Sequence, residues 1–285
     1  MSRLRRGFDI GLIGLDGVGK STIATALQRA LVARGIPTLV QSWRRAVKES
    51  DNRFVRSLLA EIHAGSHRMI WGSAQRSTGD VRALFPEGAV DVVGREFIQT
   101  LKATDVTRND CRALCAAGWL ELAADLALQL QEVQPRLTTG QSVILDSFGL
   151  KPVAKLLAVS SIVAREDGDN DSVKLIKRNL RLILDVYGSW LRPDAGFLID
   201  ASAETAWRHR ERDPKGIGLV EDLAIAGRRG RAPFLELQNA VNEIYREAVT
   251  EWGWLTIPVG EESLPCATER AVSAILEDLG RRSLI

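Results

Sequence analysis

Nine consecutive residues, Gly14-Leu15-Asp16-Gly17-Val18-Gly19-Lys20-Ser21-Thr22, are suited to holding phosphate. Gly14, Gly19, Lys20 and Ser21 satisfy the spacing G-x-x-x-x-G-K-[ST]. Glycine lets successive backbone N–H groups turn inward and form an anion nest, which Gly17, Val18 and Thr22 extend. A helix starting at this point adds the partial positive charge of its N-terminus. Lys20 then reaches the terminal phosphates, and the Ser21 hydroxyl ligates Mg²⁺.

Carboxylates come next. Two apolar runs end in aspartate, Val143-Ile144-Leu145-Asp146 and Phe197-Leu198-Ile199-Asp200. Beside a phosphate loop such a carboxylate holds the water shell of a metal, or takes a proton from an acceptor hydroxyl. For Asp200, followed by Ala201-Ser202-Ala203-Glu204, helix capping is the favoured reading. The stretch from about 208 to 232 is rich in glycine and arginine, with Arg212, Lys215, Arg228, Arg229 and Arg231. It is expected to be a lid whose cations close over phosphates, with a solvated basic loop as the alternative. Trp43 stands just after the second apolar run and is the candidate for a flat or apolar acceptor surface. Most of the other tryptophans are assigned to the core. Cys111 and Cys115, one helical turn apart with no nearby histidine, read as reduced helix cysteines. His63 and His67 also have i, i+4 spacing, but with no evident third ligand they read as surface or loop histidines.

Elements must position these groups. Phe8–Ile13, Pro37–Trp43, Ser142–Asp146, Gly196–Asp200 and Leu255–Val259 read as strands, with helices between them. The helices are expected over Thr22–Arg34, Trp119–Val133 (stopped by Pro135), Val173–Tyr187, Pro233–Trp252 and Pro265–Leu279. This alternation predicts an α/β fold: one domain, residues 1–285, with a five-stranded parallel sheet and helices on both faces. Ligands belong at the carboxyl ends of its strands. From about 44 to 118 the pattern suggests an acceptor-side insertion of shorter helices broken at Gly65, Gly72, Gly79, Pro86, Gly88 and Gly94.

The 285 residues carry a formal net charge of +2, which gives no global argument for nucleic acid or membrane binding. The basic start, Arg3 to Arg6, precedes no long apolar stretch, so no signal peptide is expected. No run reads as long enough to span a bilayer, and the expected location is cytoplasmic.

The chain resembles the thymidylate kinases. Gly14 to Thr22 is similar to their G-x-D-G-x-G-K-[ST]-T loop, with Asp16 as the internal aspartate. Leu120 to Asp125, then Leu137 to Phe148, resembles the family's "LLFAAD…VICDRY" stretch. Pro193 through Asp200 to Glu204 resembles "PDLTIYLDVxPE", and Phe234 through Tyr245 resembles "FFERVRxGY". The resemblance implies a P-loop NTPase of the nucleoside-monophosphate-kinase fold, with ATP and Mg²⁺ as cofactors and frequent homodimerisation. It implies adenine packing near Gly260, and lid arginines beginning at Arg208, Arg210 and Arg212. The family register puts His209 at one such place; Arg208 and Arg212 are taken as the pair acting on the transferring phosphoryl. Asp146 keeps its family position, as Mg²⁺ holder or base; Asp16 is the second candidate base.

The acceptor side departs from the family. Leu126 and Ser147 stand where it has phosphate-binding arginines, and Trp43-Arg44-Arg45-Ala46-Val47 replaces its "REPGG". Losing those guanidinium groups leaves a dianionic acceptor poorly compensated. The expected function is therefore transfer of the ATP γ-phosphoryl to a hydroxyl of a small molecule or nucleoside-like acceptor. A nucleotide kinase using Arg44 and Arg45 is the alternative, and an ATP-binding switch with little chemistry is a third. The chain has no [NT]-K-x-D guanine motif, which argues against a GTPase switch.

Overall fold

The computed structural model describes residues 6–76, 91–213, 216–260 and 262–285. Strand β1 (Asp9–Gly14) is buried at all six positions, as expected of a central strand covered on both faces. It pairs in parallel with β5 (Ser142–Asp146) on one side and β6 (Ala195–Asp200) on the other. Strand β2 (Thr38–Gln41) flanks β5 and β7 (Leu255–Pro258) flanks β6, giving the order β2-β5-β1-β6-β7. Leu12 lies opposite both Asp146 and Phe197, so the carboxyl end of β1 meets that of β5. Helix α1 (Lys20–Val32) packs with α11 (Leu264–Arg281) as one cover of the sheet. Helices α7 (Leu150–Glu166) and α10 (Arg231–Trp252) form the other.

The insertion holds α2 (Trp43–Glu49), α3 (Arg53–Gly72), α4 (Arg95–Ala103) and α5 (Cys111–Leu128). A short antiparallel pair, β3 (Gln75–Arg76) with β4 (Val106–Arg108), lies between them. Gly65 does not break a helix, contrary to expectation: α3 runs through it to Gly72. A helical glycine costs about 1 kcal/mol, and α3 more than offsets this by burying Val55, Leu59, Ile70 and Trp71 in its packing on α5. Gly94 precedes α4 as its N-cap, whereas Gly79, Pro86 and Gly88 fall outside the described residues.

Three further readings need correction. Pro135 does not stop its helix: α5 continues through a π turn, Gln129–Val133, into α6 (Gln134–Thr138), whose first turn accommodates the proline. That continuous helix, Cys111–Thr138, is long and apolar enough to cross a bilayer by length and composition. Over half of its apolar window, 56%, is buried inside the protein, where α5 packs against α3 and α7. Helix α7 was not read as an element at all; it is buried at every position from Val153 to Val159. Helices α8 (Asn170–Ser189) and α9 (Ala203–Arg212) complete the set. Trp71, Trp252 and Trp254 are core residues, but Trp190 is 84% exposed and Trp119 37% exposed.

Candidate active site

The phosphate loop joins β1 to α1 and has the backbone that its glycines permit. Gly17 and Gly19 have φ of 83° and 86°, the left-handed region where a side chain is strained. Gly19 caps α1, so the first N–H groups of that helix are free to face an anion. The Lys20 side chain is buried and its Nζ donates to the Leu15 carbonyl. Burial, with Lys151 and Lys155 close by, holds the Lys20 ammonium well below the ordinary lysine range. Ser21 and Thr22 are exposed at the start of the helix.

Asp16 lies inside the fold, at 3% exposure. Its carboxylate meets Lys151 Nζ at 2.7 Å, is in ion contact with Lys155 Nζ, and has Arg210 Nη2 at 3.8 Å. Burial pushes this carboxyl up, but Lys151, Lys155 and Lys20 outweigh it and hold it well below the usual range. A carboxylate so held is a weak proton acceptor, which sets Asp16 against the base role. The two α7 lysines were missed in the sequence. Their signal was an i, i+4 lysine pair in an otherwise apolar run directly after Asp146.

Helix α9 packs on the loop at Gly17. His209 Nδ1 lies 3.0 Å from the Gly17 carbonyl, and Arg210 binds Asp213 at 3.0 Å as well as Glu221. Arg208 and Arg212 were the expected pair, but both are exposed, and the helical repeat turns Ala206, His209 and Arg210 toward the loop instead. Further along the expected lid, Arg228 binds Glu166 at 2.5 Å and Glu236 at 2.6 Å, Arg229 donates to Thr104 O, and Arg231 pairs with Glu204. These cations are tied to the protein rather than turned to the phosphate loop. Lys215 is outside the described residues.

The two strand-end aspartates differ. Asp200 does not cap a helix; Ser202 caps α9 by accepting from Thr205 N. Asp200 instead accepts from Arg246 Nη2 at 3.0 Å and from Asn242 Nδ2 at 3.3 Å. Asp146 has a buried Oδ1 with no protein partner. That orphaned oxygen, the exposed Ser21 hydroxyl and the N–H nest fit a Mg²⁺–nucleotide. Gly260 follows β7 and is exposed, and Leu264 at the start of α11 lies against Gly19.

A cleft opens at the carboxyl ends of β2 and β5. Its lining includes Trp43, His63, Glu121, Asp125 and Ser147. Ser42 caps α2 and sets Trp43 at the first helical position. The Trp43 ring stacks on His63 at 4.0 Å, and the Arg44 guanidinium lies 5.2 Å from its centroid. His63 is no surface histidine: it is buried on α3, with Nδ1 3.1 Å from the Glu121 carboxylate of α5. Its Nε2 is buried without a partner. Burial pushes the Glu121 carboxyl up, but His63 and Ser66 outweigh this and hold it below its ordinary range. Burial, opposed by His63 and helped by Glu121, pushes the Asp125 carboxyl up to about 7. Asp125 sits so close to Gly149 that a Cβ there would be 1.9 Å from the carboxylate. Ser147 bends the chain here with φ 64°, a conformation uncommon for serine.

Two expected acceptor residues lie elsewhere. Leu126 is one position, about 100° of helix, past Asp125, and faces an apolar surface groove with Trp119, Val186 and Trp190. Arg45 donates to Val40 O at 2.8 Å and pairs with Glu49 at 2.7 Å, so it is bound to its own element. His67, edge-on to Phe97, is driven down to about 4 by burial. Cys111 and Cys115 are free and buried, as expected of helix cysteines.

The chain is a mostly helical α/β protein with a five-stranded parallel sheet, and its fold is that of a thymidylate kinase. The thymidylate kinase from Candida albicans has a similar structure. Its TM-score is 0.55 at 16% identity, covering 98% of this chain and 93% of that one. No family model and no curated protein sequence matches the chain.

Proposed function

We propose that the protein is an ATP-dependent kinase that transfers the γ-phosphoryl to a hydroxyl of a small molecule or nucleoside-like acceptor. One observation carries this reading: the unpartnered Asp146 oxygen lies between Leu145 and Ser147, which line a cleft that has no lysine or arginine among its described lining residues. The loop N–H groups and Lys20 hold the donor phosphates, and Ser21 with Asp146 holds Mg²⁺, which neutralises charge between the β and γ phosphates. Arg210, poised between Asp16 and Glu221, is the lid arginine nearest the loop. Thymidylate is expected to be a poor acceptor, because Arg45 is committed to Glu49 and Ser147 carries no charge. Arg44, exposed on Trp43, favours the second reading, a nucleotide kinase that holds the acceptor phosphate at the cleft rim.

The test is an ATP-consumption screen against nucleosides, nucleoside monophosphates and unrelated alcohols. Transfer to an alcohol with none to a monophosphate supports the reading. Efficient conversion of thymidylate alone promotes the second reading, and no acceptor-dependent turnover at all leaves a binding switch.

A further inference from the structure

We infer that Lys151 is a ligand of the γ-phosphate: when ATP occupies the loop, the Lys151 ammonium leaves the Asp16 carboxylate for the terminal phosphate, while Lys155 stays on Asp16. This rests on the ATP-binding part of the kinase reading and adds a residue to it.

Three observations lead to it. First, charge around the loop is unbalanced. Lys20, Lys151 and Lys155 all act on the Asp16 carboxylate, and Lys151 and Lys155 both push the Lys20 ammonium down. Ammonium groups gathered on one buried carboxylate repel one another, and an anion placed between them relieves that repulsion. Two further carboxylates act on these lysines, Asp146 on Lys20 and Glu221 on Lys155. Glu221 is bound to Arg210, and the role proposed for Asp146 gives its charge to Mg²⁺.

Second, the two α7 lysines are not equivalent. The Lys155 side chain is 8% exposed, so taking it from Asp16 would strand a buried ammonium. The Lys151 side chain, one turn nearer the helix start, is 19% exposed, and its flexible four-carbon stem lets the charged head move. When Lys151 leaves, Asp16 keeps Lys155, and Arg210 Nη2 stands 3.8 Å away.

Third, Lys151 stands beside the group that handles the terminal phosphates. In such a loop that group is Lys20, and Lys151 is close enough to depress its ammonium. Gly149 and Pro152, which flank Lys151 in sequence, line the cleft, while Lys151 turns to Asp16. The first turn of α7 therefore separates the cleft from the loop. Among the described residues no second carboxylate pairs with Lys151, whereas Arg210 is also held by Glu221 and Asp213. Asp16 thus keeps one mobile ammonium aimed at the loop until nucleotide arrives.

The experiment is calorimetric binding of Mg²⁺–ADP and of the Mg²⁺ complex of the β,γ-imido analogue of ATP to the full chain. The parent is expected to bind the analogue more tightly than ADP. Lys151→Met is expected to cut that preference at least about tenfold, the loss of one charge-assisted contact, and to leave ADP affinity within about threefold. Lys155→Met is expected to lower the melting midpoint and to leave the preference in place, and Lys151→Arg to retain a preference. The charge-balanced pair Asp16→Asn with Lys151→Met, compared with Asp16→Asn alone, repeats the test in a protein that strands no carboxylate, with the same loss expected. A preference unchanged in either comparison, with folding verified by thermal unfolding, overturns the inference. So does an equal loss for ADP and the analogue, or a parent that binds the two alike. A parent that binds neither overturns the ATP reading together with it. A Lys151-dependent preference without transfer to any compound in the acceptor screen upholds the inference and overturns the kinase reading.

Discussion

Lys151 Nζ stands 2.7 Å from the Asp16 carboxylate, so the first turn of α7 grips the aspartate inside the phosphate loop. With Lys155 and Lys20 beside it, Asp16 is the shared counter-charge of three buried or half-buried ammonium groups. Asp16→Asn removes that charge, and breaking a buried pair typically costs about 3–5 kcal/mol. The unliganded protein should melt well below the parent, and pyrophosphate should recover more of the midpoint than it adds to the parent. The carboxyl is lowered from 3.8, so its stabilisation is present above that pH and is lost as pH falls toward the lowered folded value. A midpoint unchanged by the substitution would show that the lysines are balanced by something else.

Lys20→Ala should lower turnover by about 10²–10³, because Lys20 neutralises charge that grows on the donor phosphates. Stability should hold within about 1 kcal/mol, since the substitution removes a buried ammonium along with its bond to Leu15 O. Steady-state kinetics paired with denaturant unfolding checks both halves. Near-parent turnover would contradict the donor assignment.

Asp146→Asn should lose far more activity than Asp200→Asn. Asp146 has an oxygen free of protein partners, whereas Asp200 is occupied by Arg246 and Asn242. The Asp200 substitution should cost about 1 kcal/mol of stability and leave the Mg²⁺ dependence unchanged. A Mg²⁺ titration of both variants decides; a larger kinetic loss at Asp200 would move the metal role to β6.

Arg210→Ala should reduce turnover more than tenfold, with Arg208→Ala and Arg212→Ala each under about threefold, because pre-aimed charge outweighs exposed charge. Arg210 Nη2 lies 3.8 Å from the Asp16 carboxylate. Comparable losses at all three positions would argue that α9 re-docks on nucleotide.

Asp125→Asn tests the raised carboxyl in the cleft. The folded protein keeps Asp125 protonated up to about 7, while the unfolded chain ionises from 3.8. Between those values the unfolded state binds fewer protons, so parent stability falls as pH rises. The variant lacks this loss, so its advantage should grow from pH 4 to pH 7 and then level off, at most about 4 kcal/mol at 1.36 per unit. Parallel stability curves across that window would exclude the shift.

The strand–loop–helix of Gly14 to Thr22 was legible in the sequence, and the reason is contiguity. Gly14 to Thr22 need only local backbone geometry and one adjoining helix, and the structure shows the left-handed Gly17 and Gly19 that the motif requires. Ser142–Asp146 was read at its observed bounds because an apolar run ending in a charge marks a buried strand and its exit. The acceptor side was not legible. His63 and Glu121 lie 58 residues apart, and only the packing of α3 on α5 brings them together. Lys151 and Lys155 reach Asp16 from a helix 135 and more residues further along the chain, so only the packing of α7 beside the loop brings them together. Leu126 drew attention as a family position, yet one residue along α5 is about 100° of rotation, enough to turn it from the cleft to the surface groove. Sequence determined the backbone of the Gly14–Thr22 loop, since left-handed glycines ahead of a helix are a property of one continuous stretch. Tertiary structure alone decided the charge and lining of the neighbouring cleft, since those depend on which faces of separate helices the core turns inward.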